Sequence, residues 1–226
     1  MNETAYQYHK DDLNRLLAEL QANPPKEVDV ESMGGYNNII SKYMLARAGL
    51  MHRSYELAIS ADSCIENNQI VSSTLLIRGL FETVSVIGFA YYKILSFNKD
   101  KDMDKFNESI SRILFGSRDE STDHTSINIL SMIDKIDKDY PGYRFSYDRL
   151  SELCHPNFKG ASLLYGTPIE NEIVQYNSDF STTSSHKLSN INDLCLCIDR
   201  LKYFTFKITD IIEEFVEIVN ELEERE

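Results

Sequence analysis

The segment Tyr147-Asp-Arg-Leu-Ser-Glu-Leu-Cys-His155-Pro-Asn157 places an arginine, Arg149, on a helical stretch and a histidine, His155, just before a proline. Pro156 disfavours helical geometry at the residue before it, so a helix through this segment must end at His155. An arginine can hold a phosphate through two parallel hydrogen bonds and offset charge that develops on it. A histidine moves protons near neutral pH. RNA brings its own nucleophile, the 2′-hydroxyl. Such a pair can therefore cleave a phosphodiester with no metal or other cofactor. Six residues separate Arg149 from His155, which on an unbroken helix sets them about 120° apart. The break at Pro156 leaves the imidazole free to fold back toward Arg149. A His-Pro-Asn corner that only caps and packs gives the same pattern.

A second charged pair, Arg78 and Glu82, is spaced one helical turn apart, so both lie on one helix face. The surrounding stretch is apolar on nearly every side, and an unpaired buried charge there would cost several kcal/mol. The two must face each other, a polar partner or a cleft. They read either as an internal ion pair that fixes register or as the wall of a polar site. The only other segment with closely placed Arg, Glu and His before a forced helix end is 147–157. Arg78, Glu82, Arg149 and His155 are therefore expected to converge, with Ser151 and Asn157 as supporting donors.

Other candidates are weaker. Cys195 and Cys197 point to nearly opposite sides of a helix and make poor zinc ligands. Cys154 reads as a packed thiol. His9, His52, His124 and His186 show no ligand spacing, and Tyr91 and Tyr92 read as core.

The elements that must position these residues follow from periodicity. Helices are expected over 4–22, 36–67, 70–97, 106–115, 126–140, 145–155 and from 188 to the end. The first stops at Asn23-Pro24-Pro25. Residues 98–104, 117–124 and 181–185 read as polar loops. A small β-hairpin is expected near 163–177. The fold class is all-α: an antiparallel bundle of four to five long helices, with 1–32 as N-terminal helix and connector and 33–226 as the bundle domain. The 70–97 stretch is apolar enough to raise a membrane span, but Arg78 and Glu82 in its middle argue against one.

Arg149-x5-His155, late in an all-helical chain, resembles the signature of the HEPN superfamily. The longer patterns Leu75-Leu-Ile-Arg-Gly-Leu-Phe-Glu82 and Tyr147-Asp-Arg-Leu-Ser-Glu-Leu-Cys-His155-Pro-Asn157 resemble uncharacterised bacterial families grouped near it, together over roughly residues 36–215. The resemblance implies a metal-independent endoribonuclease of a toxin–antitoxin or anti-phage system, or a non-catalytic helical module that engages a protein partner. It assigns Arg149 and His155 the signature positions and implies a homodimer. The residue after the family's arginine is frequently polar, and here it is Leu150.

Composition bounds the rest. The chain has 226 residues, 42% hydrophobic and 11% aromatic, enough for a sizeable core. A net charge of −13 repels nucleic acid, so RNA binding requires a local basic site, and no DNA ligand is expected. Four irregularly spaced cysteines do not form a disulfide framework. The start of the chain lacks a signal-like apolar run. A cytoplasmic protein with no membrane contact is expected.

Overall fold

A computed structural model describes residues 3–117, 121–169, 173–176 and 184–224. They form an all-α bundle with one two-stranded ribbon. The helices are α1 (Glu3–Gln21), α2 (Ile39–Glu66), α3 (Ile70–Asp100), α4 (Met103–Phe115), α5 (Ile129–Asp139), α6 (Tyr143–Cys154), the single turn α7 (Leu163–Tyr165) and α8 (Ser184–Glu223). A π-helical turn, Phe158–Ser162, precedes α7. Strands β1 (Gly166–Pro168) and β2 (Val174–Tyr176) pair antiparallel, with Thr167 opposite Gln175. This is the expected hairpin. Of the expected loop at 181–185, residues 181–183 lie outside the described ones, and Ser184 and Ser185 already belong to α8.

Helices α3 and α4 differ from expectation for local reasons. Residues 98–100 continue α3 instead of opening a loop, and Lys101, at φ 55°, ends it. Asn98 donates to Glu214 of α8 at 3.1 Å, which holds this last turn in place. Helix α4 starts at Met103 because Asp102 caps it, accepting from the Lys105 amide at 3.0 Å.

The residues fall into two compact units interleaved in sequence. Unit 1 comprises 1–22, 54–82 and 140–199, and unit 2 comprises 23–53, 83–139 and 200–226. In unit 1, Leu13, Leu16 and Leu20 of α1 share one stripe and are buried, as are Ala58, Ile65, Ile77, Phe81, Leu150 and Ile198. A buried polar tie runs through this core: Asn190 of α8 donates to Ser73 Oγ at 2.7 Å and Thr74 Oγ1 at 3.0 Å on α3. In unit 2 an aromatic cluster forms the centre. Phe97, Phe106 and Phe215 have ring centroids 5.0–5.5 Å apart, and Tyr43 reaches Phe215 at 5.9 Å.

Helix α3 is not enclosed on every side: Leu75 is 49% exposed. By length and hydropathy it is able to cross a membrane, yet 56% of its most apolar window is buried in the fold.

Candidate functional site

Helix α6 is the element that carries the candidate residues, and its two sides do different things. Tyr143, Tyr147 and Leu150 are buried and seat it in unit 1. The Tyr143 hydroxyl donates to the Phe81 carbonyl at 3.1 Å, tying α6 to α3 through a backbone group. Leu150 is fully buried, which accounts for an apolar residue directly after Arg149.

One side of α6 meets the charged pair of α3. Tyr147 Oη donates to Glu82 Oε1 at 2.8 Å and accepts from Arg78 Nη2 at 3.3 Å. Arg78 and Glu82 also pair with each other at 3.3 Å, and the guanidinium lies 5.5 Å from the Tyr147 ring centroid. Both charges are about one-third exposed, at 33% and 35%, so they sit at the edge of the core and not within it. The bond to Tyr147 raises Arg78 above its ordinary value, against the opposing effect of burial. Cys154 belongs to the same stripe, seven residues along α6 from Tyr147. Burial pushes its thiol up, and nearby Arg78 only partly offsets this, so it is a thiol and no nucleophile at neutral pH.

Arg149 serves a different helix. It lies two positions after Tyr147, about 200° around α6, and its Nη2 pairs with Asp193 Oδ2 of α8. The Asp193 side chain is 8% exposed and that of Arg149 31%. Burial pushes Asp193 above the usual carboxylate range, and Arg149 acts to hold it down. His186 lies seven residues before Asp193, on the same stripe of α8. The half-buried His186 imidazole is lowered by burial first and by the Arg149 cation second, so it is neutral at pH 7.

The expected convergence is therefore split. Arg78 and Glu82 do meet the 147–157 segment, at Tyr147 and Cys154. Arg149 faces away from them toward α8, and His155 joins neither group among the described contacts. The reason is helical phase: residues 147 and 154 share a stripe and residue 149 cannot lie on it.

His155 is the C-cap of α6, in extended geometry at φ −77° and ψ 140°, as Pro156 requires, and it is exposed. The turn after it packs tightly. A Cβ on Gly160 would come within 2.0 Å of the His155 carbonyl oxygen and 2.7 Å of that of Leu153, so only glycine fits there. Asn157 organises this turn. Its Nδ2 donates to Glu152 Oε1 at 2.8 Å, and its Oδ1 accepts from the Gly160 amide at 2.9 Å. Ser151 Oγ is buried and has no hydrogen-bond partner among the described residues.

Tyr147 and Asp193 were not among the residues singled out from the sequence, and His186 was set aside for want of ligand spacing. Tyr147 stood inside the quoted motif. The seven-residue spacing of His186 and Asp193 was the available signal for the other two. The cysteines of α8 offer no chemistry: burial pushes Cys195 up to about 12 and Cys197 well above its usual value.

Comparison with protein-family models, with curated proteins and with solved structures finds no match.

Proposed function

We propose that the chain is a metal-independent endoribonuclease of HEPN type, acting in the toxin or anti-phage setting that the resemblance implies, with its centre at Arg149. The observation that supports this is the company Arg149 keeps. A buried carboxylate fixes its guanidinium from one side, the side chain stays 31% exposed, and a neutral imidazole stands in its field. Arg149 then holds the scissile phosphate. His186 takes the 2′-hydroxyl proton as the oxygen attacks phosphorus. The bond to the 5′-oxygen breaks, and that oxygen gains a proton from His155 or water. The products are a 2′,3′-cyclic phosphate and a 5′-hydroxyl. Asp193 positions Arg149 and touches no substrate. The same reading expects two copies to assemble, giving twice 26.0 kDa by light scattering.

The test is cleavage of end-labelled single-stranded RNA by the purified full chain in chelator. Cleavage should be lost in Arg149→Lys, which keeps the charge for Asp193 but not the two-pronged grip on phosphate. It should also be lost in His186→Ala. Intact RNA with the wild-type chain, or full activity in both variants, overturns the reading. Comparing His155→Ala with wild type identifies the proton donor.

A second reading rests on a specific observation: the charges of both Arg78 and Arg149 are already met by carboxylates. On that reading the bundle is a non-catalytic module, its net charge of −13 drawing a basic protein partner. It requires that RNA stay intact and that a basic peptide bind in a salt-sensitive manner.

A further inference from the structure

Away from α6, and wholly within unit 2, the surface gathers positive charge where the chain as a whole is acidic. One stripe of α3 (Phe89, Tyr92, Lys93, Ser96, Lys99) and one stripe of α5 (Ser131, Asp134, Lys135, Lys138) line a groove of about 720 Å³. The spacing along each helix is three or four residues, so each set occupies one face. Among the described residues, four lysines and a single carboxylate line the groove, against 36 acidic and 23 basic residues in the chain. A random patch of this protein would carry the opposite sign.

The groove is built, not incidental. Buried Met132, Ile133 and Ile136 seat α5 by its other face. Gly88 lets the helices approach: a Cβ there would come within 2.8 Å of Phe204 and 2.9 Å of Ile136. Tyr92 donates to Asp139 at the end of α5, and the rings hold the cations in place. Lys135 Nζ lies 4.7 Å from the Tyr92 centroid and Lys93 Nζ 5.0 Å from that of Phe89. Burial holds the half-buried Lys93 below its usual range. The Lys105 and Arg112 cations push the same way, against Asp100 and Glu108. Like charge beside the partly desolvated Lys93 is unfavourable until a counter-charge arrives.

We propose that this groove binds a small anion bearing several phosphates, its ammonium groups taking the phosphate oxygens. A volume of about 720 Å³ lies within the range of small-molecule sites, roughly 300–1,000 Å³. A nucleoside triphosphate and inorganic triphosphate share the required chemistry. The proposal is independent of the ribonuclease reading: it concerns other residues and a binding readout, so either can fail alone.

The test is titration calorimetry of the full chain with ATP, sodium triphosphate and a single-stranded RNA octamer. Both triphosphates should bind at one site per chain, more weakly as potassium chloride rises. Equal affinity for the two identifies a polyphosphate site, and tighter ATP binding shows that the nucleoside contributes. The exposed charge reversals Lys99→Glu and Lys138→Glu touch no core and should each weaken binding by about tenfold to a hundredfold. Lys26→Glu, outside the groove, should leave it unchanged. Absence of triphosphate binding at millimolar concentration, indifference to both reversals, or binding of the RNA alone overturns the proposal.

Discussion

Removing Arg149 should destabilise the fold more than neutralising its partner, although both changes break the same ion pair. The asymmetry comes from exposure. Asp193 is 8% exposed and Arg149 31%. Arg149→Ala strands a buried carboxylate, and loss of one partner of a buried pair costs about 3–5 kcal/mol. Partial hydration of the site places this one at the lower end, about 3 kcal/mol. Asp193→Asn instead leaves a cation that water already reaches, and it removes the penalty of burying the carboxylate, so its cost is about 1 kcal/mol. In a chain of this length each kcal/mol moves Tm by about 2–4 °C. The expected losses are therefore about 6–12 °C for Arg149→Ala and about 2–4 °C for Asp193→Asn. The pH dependence has a definite sign. Asp193 is raised in the folded state. A raised carboxylate contributes stability that is present below its ordinary range and lost as pH rises through its folded value. Arg149→Ala removes the cation that restrains this rise, so the variant's deficit should shrink toward pH 5 and grow toward pH 8. Thermal melts of wild type and both variants at the two pH values decide it. A loss in Asp193→Asn equal to or greater than that in Arg149→Ala, or a deficit identical at both pH values, would refute the reasoning.

Three other outcomes follow from single contacts. Gly88→Ala drives a methyl into Phe204 and Ile136, so it should lower stability by about 1–3 kcal/mol in urea unfolding. Ser151→Ala removes a buried hydroxyl that has no partner among the described residues; its midpoint should stay within about 0.5 kcal/mol of wild type or rise. At pH 8 iodoacetamide should leave Cys195 and Cys197 unmodified in the folded chain and label both after denaturation, because burial keeps their thiols protonated; mass spectrometry of peptides reads this directly.

The fold was legible because its signals are local and repeated. Leu13, Leu16 and Leu20 announce an amphipathic helix, Pro24 and Pro25 its end, and the 163–177 stretch a short ribbon. Boundaries were less so, since they depend on single tertiary contacts. Nothing in residues 98–104 reveals that Glu214, more than a hundred positions later, will hold Asn98 in the last turn of α3. Apolar composition likewise overstated the burial of α3, because a long helix can be greasy on every face and still leave Leu75 at the surface.

The candidate site was half legible, and the missing half is a matter of phase. The Arg78–Glu82 spacing offered an ion pair as one of three arrangements, and the need for a further partner pointed to the 147–157 segment, where Tyr147 rather than Arg149 or His155 answers. Which side chain of that segment would answer depended on which stripe of α6 faces α3. Tyr147 and Leu150 set that orientation by burying themselves, and once they do, Arg149 must point elsewhere. Its partner then had to come from a helix that the sequence reading treated only as a long C-terminal element. The basic groove escaped for the opposite reason. Lys93, Lys99, Lys135 and Lys138 are ordinary solvated lysines until two helices align their stripes. In a chain of net charge −13 the composition argues against an anion site, and only the packing of α5 beside α3 creates one. Charge that repels phosphate at a distance and attracts it at local basic sites gives a selective binder: nonspecific contact with polyanions along the acidic surface is weakened, and a compact anion that fits the groove is not excluded.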